Sequence, residues 1–382
     1  MAFESGTLGA LGALGALGAL GASGSLGALG ALGALGAGSG AGAPITTDAM
    51  VRHRDGIAGP WDEAHIRFPV PRALDSSDGK RWESWVRTIT LEVELLARLD
   101  FRILPRNPST FSVRYLSEAN ADAGEFVANN VASITAPPCG KEGEKFWRGQ
   151  LNLVQLYADL RSERASEILA QLTAPYSFWS SITNFHPDRH PHTAELIDVA
   201  LRMARAVELR VKHAMACLRP AELSRQIQPM IATPGHGSFP SGHSTEAHLV
   251  AFLLERLIDP DAGDRMLRIQ LRRQAARIAI NRTVAGVHFP VDSAAGWSLG
   301  NALGEFMMYR CGAAEAGYQA ADFDASKFPA DSDFMPGQLW QQYDESKNGE
   351  FAIRKAMTKP DAKPSAMLKA MWQAASAEMK QY

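Results

Sequence analysis

The chain has 382 residues, 46% of them hydrophobic and 21% charged, which is enough apolar material for one large or two ordinary domains with a sizeable core. Lys and Arg number 39 against 41 Asp and Glu, and a net charge of -2 gives no electrostatic case for nucleic acid or an acidic membrane surface. Cys139, Cys217 and Cys311 are odd in number and widely spaced, so they fit neither a disulfide framework nor a zinc pattern. Free buried thiols are expected, which favours a reducing, cytoplasmic setting without excluding export.

Residues 1–44 are a low-complexity leader in which a glycine recurs every third position from Gly9 to Gly36, and residues 5–47 carry no charge. Each interior glycine costs a helix about 1 kcal/mol relative to alanine, which argues against a membrane span. The basic flank of a signal peptide is missing, since the only early charge is Glu4, and no proline precedes Pro44 to support a collagen-type helix. A flexible leader is the expectation, with export or membrane association as the alternative. Residues 45–77, rich in Pro, Gly and Asp, read as a loop-rich lead-in.

Beyond Asp78, Trp82, Trp85, Val86, Ile89, Val93 and Leu96 mark one face of an amphipathic helix. Further helices are expected near 145–161 and 163–173, and from 193 to 217 with Thr193 as N-cap. Three more run from the Ser241-Gly242-His243 turn to about Leu257, over 264–285, and from Pro290 to Tyr309 with proline in the first turn. No alternating strand pattern stands out, and residues 311–382 look irregular apart from a helix near 365–380. The expected fold is therefore all-α, a helical bundle. Its catalytic domain spans 78–310 and a C-terminal extension spans 311–382.

Three short patterns occur in order within that domain. Lys212 is followed by Arg219-Pro220 in KHAMACLRP, Ser241, Gly242 and His243 lie in GHGSFPSGHS, and Arg282, His288 and Asp292 lie in NRTVAGVHFPVD. Singly each has an ordinary explanation: a solvated helix face, a turn with a cap, a structural His–Asp pair. Residue frequencies put the chance of all three in order on the order of one in 10^5.

Together they suit one task, holding a tetrahedral oxyanion. Arg219 and Arg282 offer planar forks and Lys212 a movable point charge. Ser241 and Gly242 open a helix, where free N–H groups and the dipole favour an anion and glycine permits close approach. Asp292 can hold one ring nitrogen of His288 so that the other faces the anion, and His243 is left as proton donor to a leaving oxygen.

These motifs resemble the three-part signature of the type 2 phosphatidic acid phosphatases, bacterial class A acid phosphatases and vanadium-dependent haloperoxidases. The resemblance covers Lys212 to Asp292 and departs from the usual pattern at Asn281, where serine is customary. It implies a helical bundle with the anion at its centre, and a small-molecule substrate. In a phosphatase, His288 would attack phosphorus and His243 would protonate the departing alcohol. In a haloperoxidase, vanadate would be the cofactor, with His288 as its axial metal ligand and Lys212 polarising peroxide for attack by halide.

The helices leading to Arg282 and Arg219 carry Arg265, Arg268, Arg272, Arg273 and Arg277, and Arg202, Arg205, Glu208 and Arg210, which argues against a transmembrane core. His236 and His213 occupy positions that resemble those of some haloperoxidases, as possible halide or supporting groups. On that balance the sequence favours the vanadate haloperoxidase over the phosphomonoesterase. A non-catalytic phosphate binder is the remaining alternative, disfavoured because simple anion binding needs no His–Asp pair. His186, His190 and His192 lack a completing carboxylate or thiol for a metal site. His248 is expected in the core or behind the site, Glu246 as a helix-dipole charge, and Tyr176, Phe178 and Trp179 as pocket wall or core.

Overall fold

The computed structural model describes residues 44–58, 79, 82–104, 107–120, 125–172, 176–345, 347–360 and 363–380. The leader up to residue 43 and most of the expected lead-in loop lie outside them. The chain divides into two units, Met1–Arg87 and Thr88–Tyr382. In the first, helix α1 spans Pro44–Ile57, where loop was expected. Proline opens it at a position that needs no N–H donor, and no further proline or glycine interrupts it before Gly56.

Helix α2, Ser84–Leu96, forms as predicted but buries Thr88, Leu91 and Leu95. The expected apolar face is turned outward, with Ile89 44% and Val93 59% exposed. The buried stripe is flanked by Glu92, which pairs with Arg202 at 3.7 Å, and Glu94, which pairs with Arg310 at 3.2 Å. The helix thus packs inward on a second apolar stripe, Leu91 and Leu95, with the two ion pairs flanking it.

The all-α expectation is overturned by a five-stranded mixed sheet ordered β1-β2-β3-β4-β5. Strands β1 (Leu99–Leu104), β2 (Asn107–Asn120) and β3 (Glu125–Thr135) form an antiparallel meander. Strand β4, Tyr318–Asp324, then joins β3 in parallel, with Ala132 opposite Ala321, and β5, Ala352–Thr358, pairs antiparallel to β4. Phe111, Val113 and Tyr115 alternate into the core of β2, the period-two pattern of a strand with one packed face. The supposedly irregular C-terminal extension therefore supplies two strands.

The helices carry the catalytic motifs. They are α3 (Gly140–Tyr157), α4 (Arg161–Ala170), α5 (Ser177–Thr183) and α6 (Pro191–Met215). Then come α7 (Pro220–Leu223), α8 (Gly242–Ile258), α9 (Arg265–Val284) and α10 (Pro290–Arg310), followed by α11 (Pro336–Asp344) and α12 (Ala366–Met379). Thr193 is not the cap of α6: His190 holds that position, and Glu378 of α12 accepts the N–H groups of His192 and Thr193 at 2.9 Å each. A carboxylate borrowed from another helix thus satisfies the orphan donors of the first turn.

Helix α10 lies against α8 along Gly296, Gly300 and Gly304, one per turn. A Cβ at Gly296 would stand 2.7 Å from the carbonyl oxygen of Ser241, and one at Gly304 would stand 2.5 Å from Phe252. Without side chains at these positions the two backbones come close enough for the Ser241 N–H to donate to the Asp292 carbonyl at 2.9 Å. The same contact also ties the second motif to the third.

Candidate functional site

Lys212, in the last turn of α6, is 1% exposed. Its Nζ donates to the carbonyls of Ser238 at 3.2 Å, Gly237 at 3.4 Å and Pro240, all in the loop before α8. Arg219, at the head of α7, is equally buried. Its Nε donates to the His236 carbonyl at 3.0 Å and its Nη1 to the Val287 carbonyl at 2.9 Å, and Nη1 stands 3.4 Å from His288 Nε2. The two cations of the first motif therefore clamp the loops that carry the second and third.

Ser241 caps α8, accepting the Ser244 N–H at 3.4 Å. The N–H groups of Gly242 and His243 have no acceptor within the helix and face outward from its positive end. The third motif follows α9, where His288 Nδ1 lies 2.9 Å from Asp292 Oδ2, and the same oxygen accepts the Phe289 N–H at 3.0 Å. That pairing puts the proton on Nδ1 and leaves Nε2 unprotonated, with Arg219 Nη1 3.4 Å away. Gln150 of α3, fully buried, accepts the Val291 N–H at 3.1 Å and so steadies the first turn of α10, which bears Asp292.

Arg282, near the end of α9, is 1% exposed, and its Nη2 donates to Gln171 Oε1 at 2.7 Å and the Ile168 carbonyl at 3.3 Å. Its Nε and Nη1 are buried with no partner among the described residues. Two unsatisfied guanidinium donors in a protein interior are expensive, and a tetrahedral oxyanion offers the acceptors they need. Asn281 donates to Glu167 at 2.9 Å and to Gln171 at 3.1 Å, while Arg164 donates to Asn281 at 3.1 Å. The asparagine that departs from the usual motif thus orients the glutamine that holds Arg282.

The electrostatics follow from burial amid cations. His288 is held well below the ordinary imidazole range by burial first, then by Lys212, Arg219, His243 and Arg282. His243, whose ring makes no hydrogen bond with the described residues, is depressed likewise by burial, Arg282, Lys212, Arg205 and Arg219. Burial pushes Asp292 up to about 7 against the Phe289 N–H, Lys212 and Arg219, and pulls Arg282 down to about 10. Both histidines are neutral in the free protein, and a dianion arriving among the cations raises their proton affinity.

The structure brings together Lys212, Arg219, Ser241, Gly242, His243, Arg282, His288 and Asp292. His236 lies at an exposed edge with Nδ1 3.2 Å from Arg219 Nη2. His213 is exposed and does not join them, because one residue along a helix rotates the side chain away from the face of Lys212. Glu246 pairs with Arg205 at 2.7 Å instead of standing alone at the dipole. His248 is buried, its Nδ1 2.7 Å from the Ser244 carbonyl, between Phe334 and Trp340. Trp179 is core, and of the cysteines only Cys311 is buried, Cys139 being exposed. Sequence reasoning missed Gln150, Glu167 and Gln171, whose roles come from contacts over a hundred residues distant. It also gave no role to Glu208, although Glu208 stands one turn before Lys212.

No helix among the described residues is long and apolar enough to cross a membrane. No curated protein matches the chain. Among solved structures, the chain is similar to the first transmembrane PAP2 type phosphatidylglycerolphosphate phosphatase from Bacillus subtilis. The two are 21% identical over 42% of this chain and 83% of that one, with a TM-score of 0.33. Residues 196–314 match the PAP2 superfamily, a stretch that contains Lys212, Arg282 and every motif residue between and around them. The chain thus carries a PAP2 superfamily domain at residues 196–314.

Proposed function

We propose that the protein is a phosphatase that hydrolyses phosphate monoesters through a phosphohistidine. The observation that carries this reading is Arg282 with two buried, unpartnered N–H donors in the same site as a His288 whose Nδ1 is fixed on Asp292. Arg282, Arg219, Lys212 and the Gly242 and His243 N–H groups hold the three non-bridging oxygens. His288 Nε2 attacks phosphorus, the P–N bond forms, and the ester P–O bond breaks. His243, protonated once the bound dianion offsets its cationic neighbours, gives its proton to the leaving oxygen. Water then attacks phosphorus, His243 takes the water's proton, the P–N bond breaks and phosphate departs.

This order reverses the preference drawn from sequence. A resident vanadate must be retained permanently, and the buried Glu208 carboxyl group packed against Gly242 opposes an anion there whenever it loses its proton. A phosphoryl group that arrives and leaves tolerates it. The second reading, a vanadate-dependent haloperoxidase, draws on His236, placed on Arg219 at the exposed edge where a halide would approach. There His288, Lys212, Arg219, Arg282 and Gly242 would hold vanadate, which supplies peroxide activation when bound. One preparation assayed two ways separates them. Hydrolysis of p-nitrophenyl phosphate inhibited by orthovanadate is the expected result, whereas vanadate-dependent bromination by peroxide without hydrolysis would establish the second reading instead.

A further inference from the structure

Glu208 is 6% exposed and projects from α6 one turn before Lys212. Among the described residues it receives no hydrogen bond and joins no ion pair, and its Oε2 is sealed from solvent. Its two oxygens lie 2.7 and 2.8 Å from where a Cβ on Gly242 would stand, so the carboxyl group rests directly on the first residue of α8. The nearest cations are engaged elsewhere: Arg205 pairs with Glu246, and Lys212 donates to three backbone carbonyls. A buried carboxylate is ordinarily paired or hydrogen-bonded, and this one is neither.

We propose that Glu208 is a proton-carrying member of the oxyanion site, so that a tetrahedral dianion binds together with one proton taken from solvent onto the Glu208 carboxyl. As a carboxylate the group is a pure acceptor and repels the anion; once protonated it has an O–H to donate to an oxygen held beside Gly242. No bond other than the new O–H forms or breaks. The charged groups around it act in both directions. Burial raises its pKa most, Glu246 on α8 adds to the rise, and Lys212 and Arg205 on α6 with Arg219 at the head of α7 oppose it, which leaves it at about 8. Asp292 on α10 acts on Lys212 and Arg219 from the other side, and His243 beside Gly242 is neutral. The site therefore takes a dianionic phosphoryl group readily at neutral pH and releases inorganic phosphate more easily as pH rises.

The proposal rests on the oxyanion-site reading, and tungstate distinguishes the failure of one from the failure of the other. Tungstate is a tetrahedral dianion with no ionisation of its own near pH 8, so any linked proton belongs to the protein. Titration calorimetry of the full chain should show affinity falling about tenfold per pH unit above about 8, while Glu208→Gln stays nearly flat. Repeating the wild-type titration at the alkaline end, in two buffers of different ionisation heat, should count about one proton taken up per tungstate bound. That count needs no variant and stands even if Glu208→Gln fails to fold. Tungstate binding with no proton uptake, or with the same slope in both proteins because Lys212 or a histidine owns the proton, overturns the role of Glu208 alone. Failure of tungstate to bind at any pH overturns the oxyanion site and this proposal with it.

Discussion

The two sides of the site are built in opposite ways. On the nucleophile side the groups that face the phosphoryl position are held: His288 on Asp292 Oδ2, that oxygen on the Phe289 N–H, and Arg219 and Lys212 on backbone carbonyls, with Asp292 Oδ1 alone of these lacking a partner among the described residues. On the anion side, Arg282 keeps two donors and Glu208 an oxygen without partners. The first is rigid before substrate arrives, as positioned catalysis requires. The second is left electrostatically incomplete, so that binding energy is released only when the oxyanion enters. The unsatisfied donors of Arg282, which only an acceptor can meet, mark where the ligand's charge belongs.

Breaking the nucleophile side should have the largest effect. His288→Ala is expected to lower kcat for p-nitrophenyl phosphate by roughly 10^3-fold or more with folding intact, because no other residue of the described site has a ring nitrogen oriented by a carboxylate. Full activity in that variant would sink the whole assignment. Asp292→Asn should cost about 10^2 to 10^4-fold by allowing the wrong tautomer, in line with the role of an orienting carboxylate. Since burial places Asp292 at about 7, the wild-type rate should rise as pH increases through that value, as the carboxylate gains the charge that holds Nδ1–H. A rate that falls over that interval contradicts this tautomer.

The anion side is sharpened by Gly242→Ala. All three atoms nearest the new Cβ belong to the Glu208 carboxyl group, so the methyl meets that group first. The expected result is roughly tenfold higher KM with little change in kcat, since ground-state and transition-state binding weaken together. The double variant Gly242→Ala with Glu208→Ala should lose no more than Gly242→Ala alone, because the methyl has already displaced the group that the second change removes. An additive loss would place the methyl's effect in the α8 backbone instead.

Much of the site was legible because its chemistry is encoded locally. Lys212 and Arg219 share one stretch, Ser241 to His243 are contiguous, and His288 and Asp292 are one turn apart. The glycines of α10 were equally visible at four-residue spacing, yet their meaning lies in α8, which a reading of α10 alone does not contain. The sheet escaped for a related reason. Phe111, Val113 and Tyr115 alternate over a run too short to stand out, and the strand's neighbours on the far side of β3 come from Tyr318–Asp324 and Ala352–Thr358, which no local pattern links to it. Rotation of α2 was not legible at all, since two apolar stripes compete and the arginines that pair with Glu92 and Glu94 lie on two distant helices.

Gln171 and the pH dependence of stability test the anion side more gently. Gln171→Ala leaves Arg282 tethered only to the Ile168 carbonyl, and an outer support of this kind is worth about 10- to 100-fold in activity. For stability, the folded-state pKa of Asp292, about 7 against 3.8, and of Glu208, about 8 against 4.5, are both raised, so the fold binds more protons than the unfolded chain between those limits. Their contribution is complete at acid pH and is lost as pH rises through the folded values. His248, pushed down to about 4 from 6.5 by burial, has the opposite sign, and its contribution grows with pH and is complete above 6.5. From 6.5 to above 8 only the carboxylates still act, so Tm should fall by several degrees over that interval, at roughly 2 to 4 °C per kcal/mol for a domain of this size. Thermal scans of Glu208→Gln should show the shallower fall. Parallel curves for the two proteins would mean that Glu208 is already ionised in the folded protein throughout, and its proton-carrying role on the anion side would then fall.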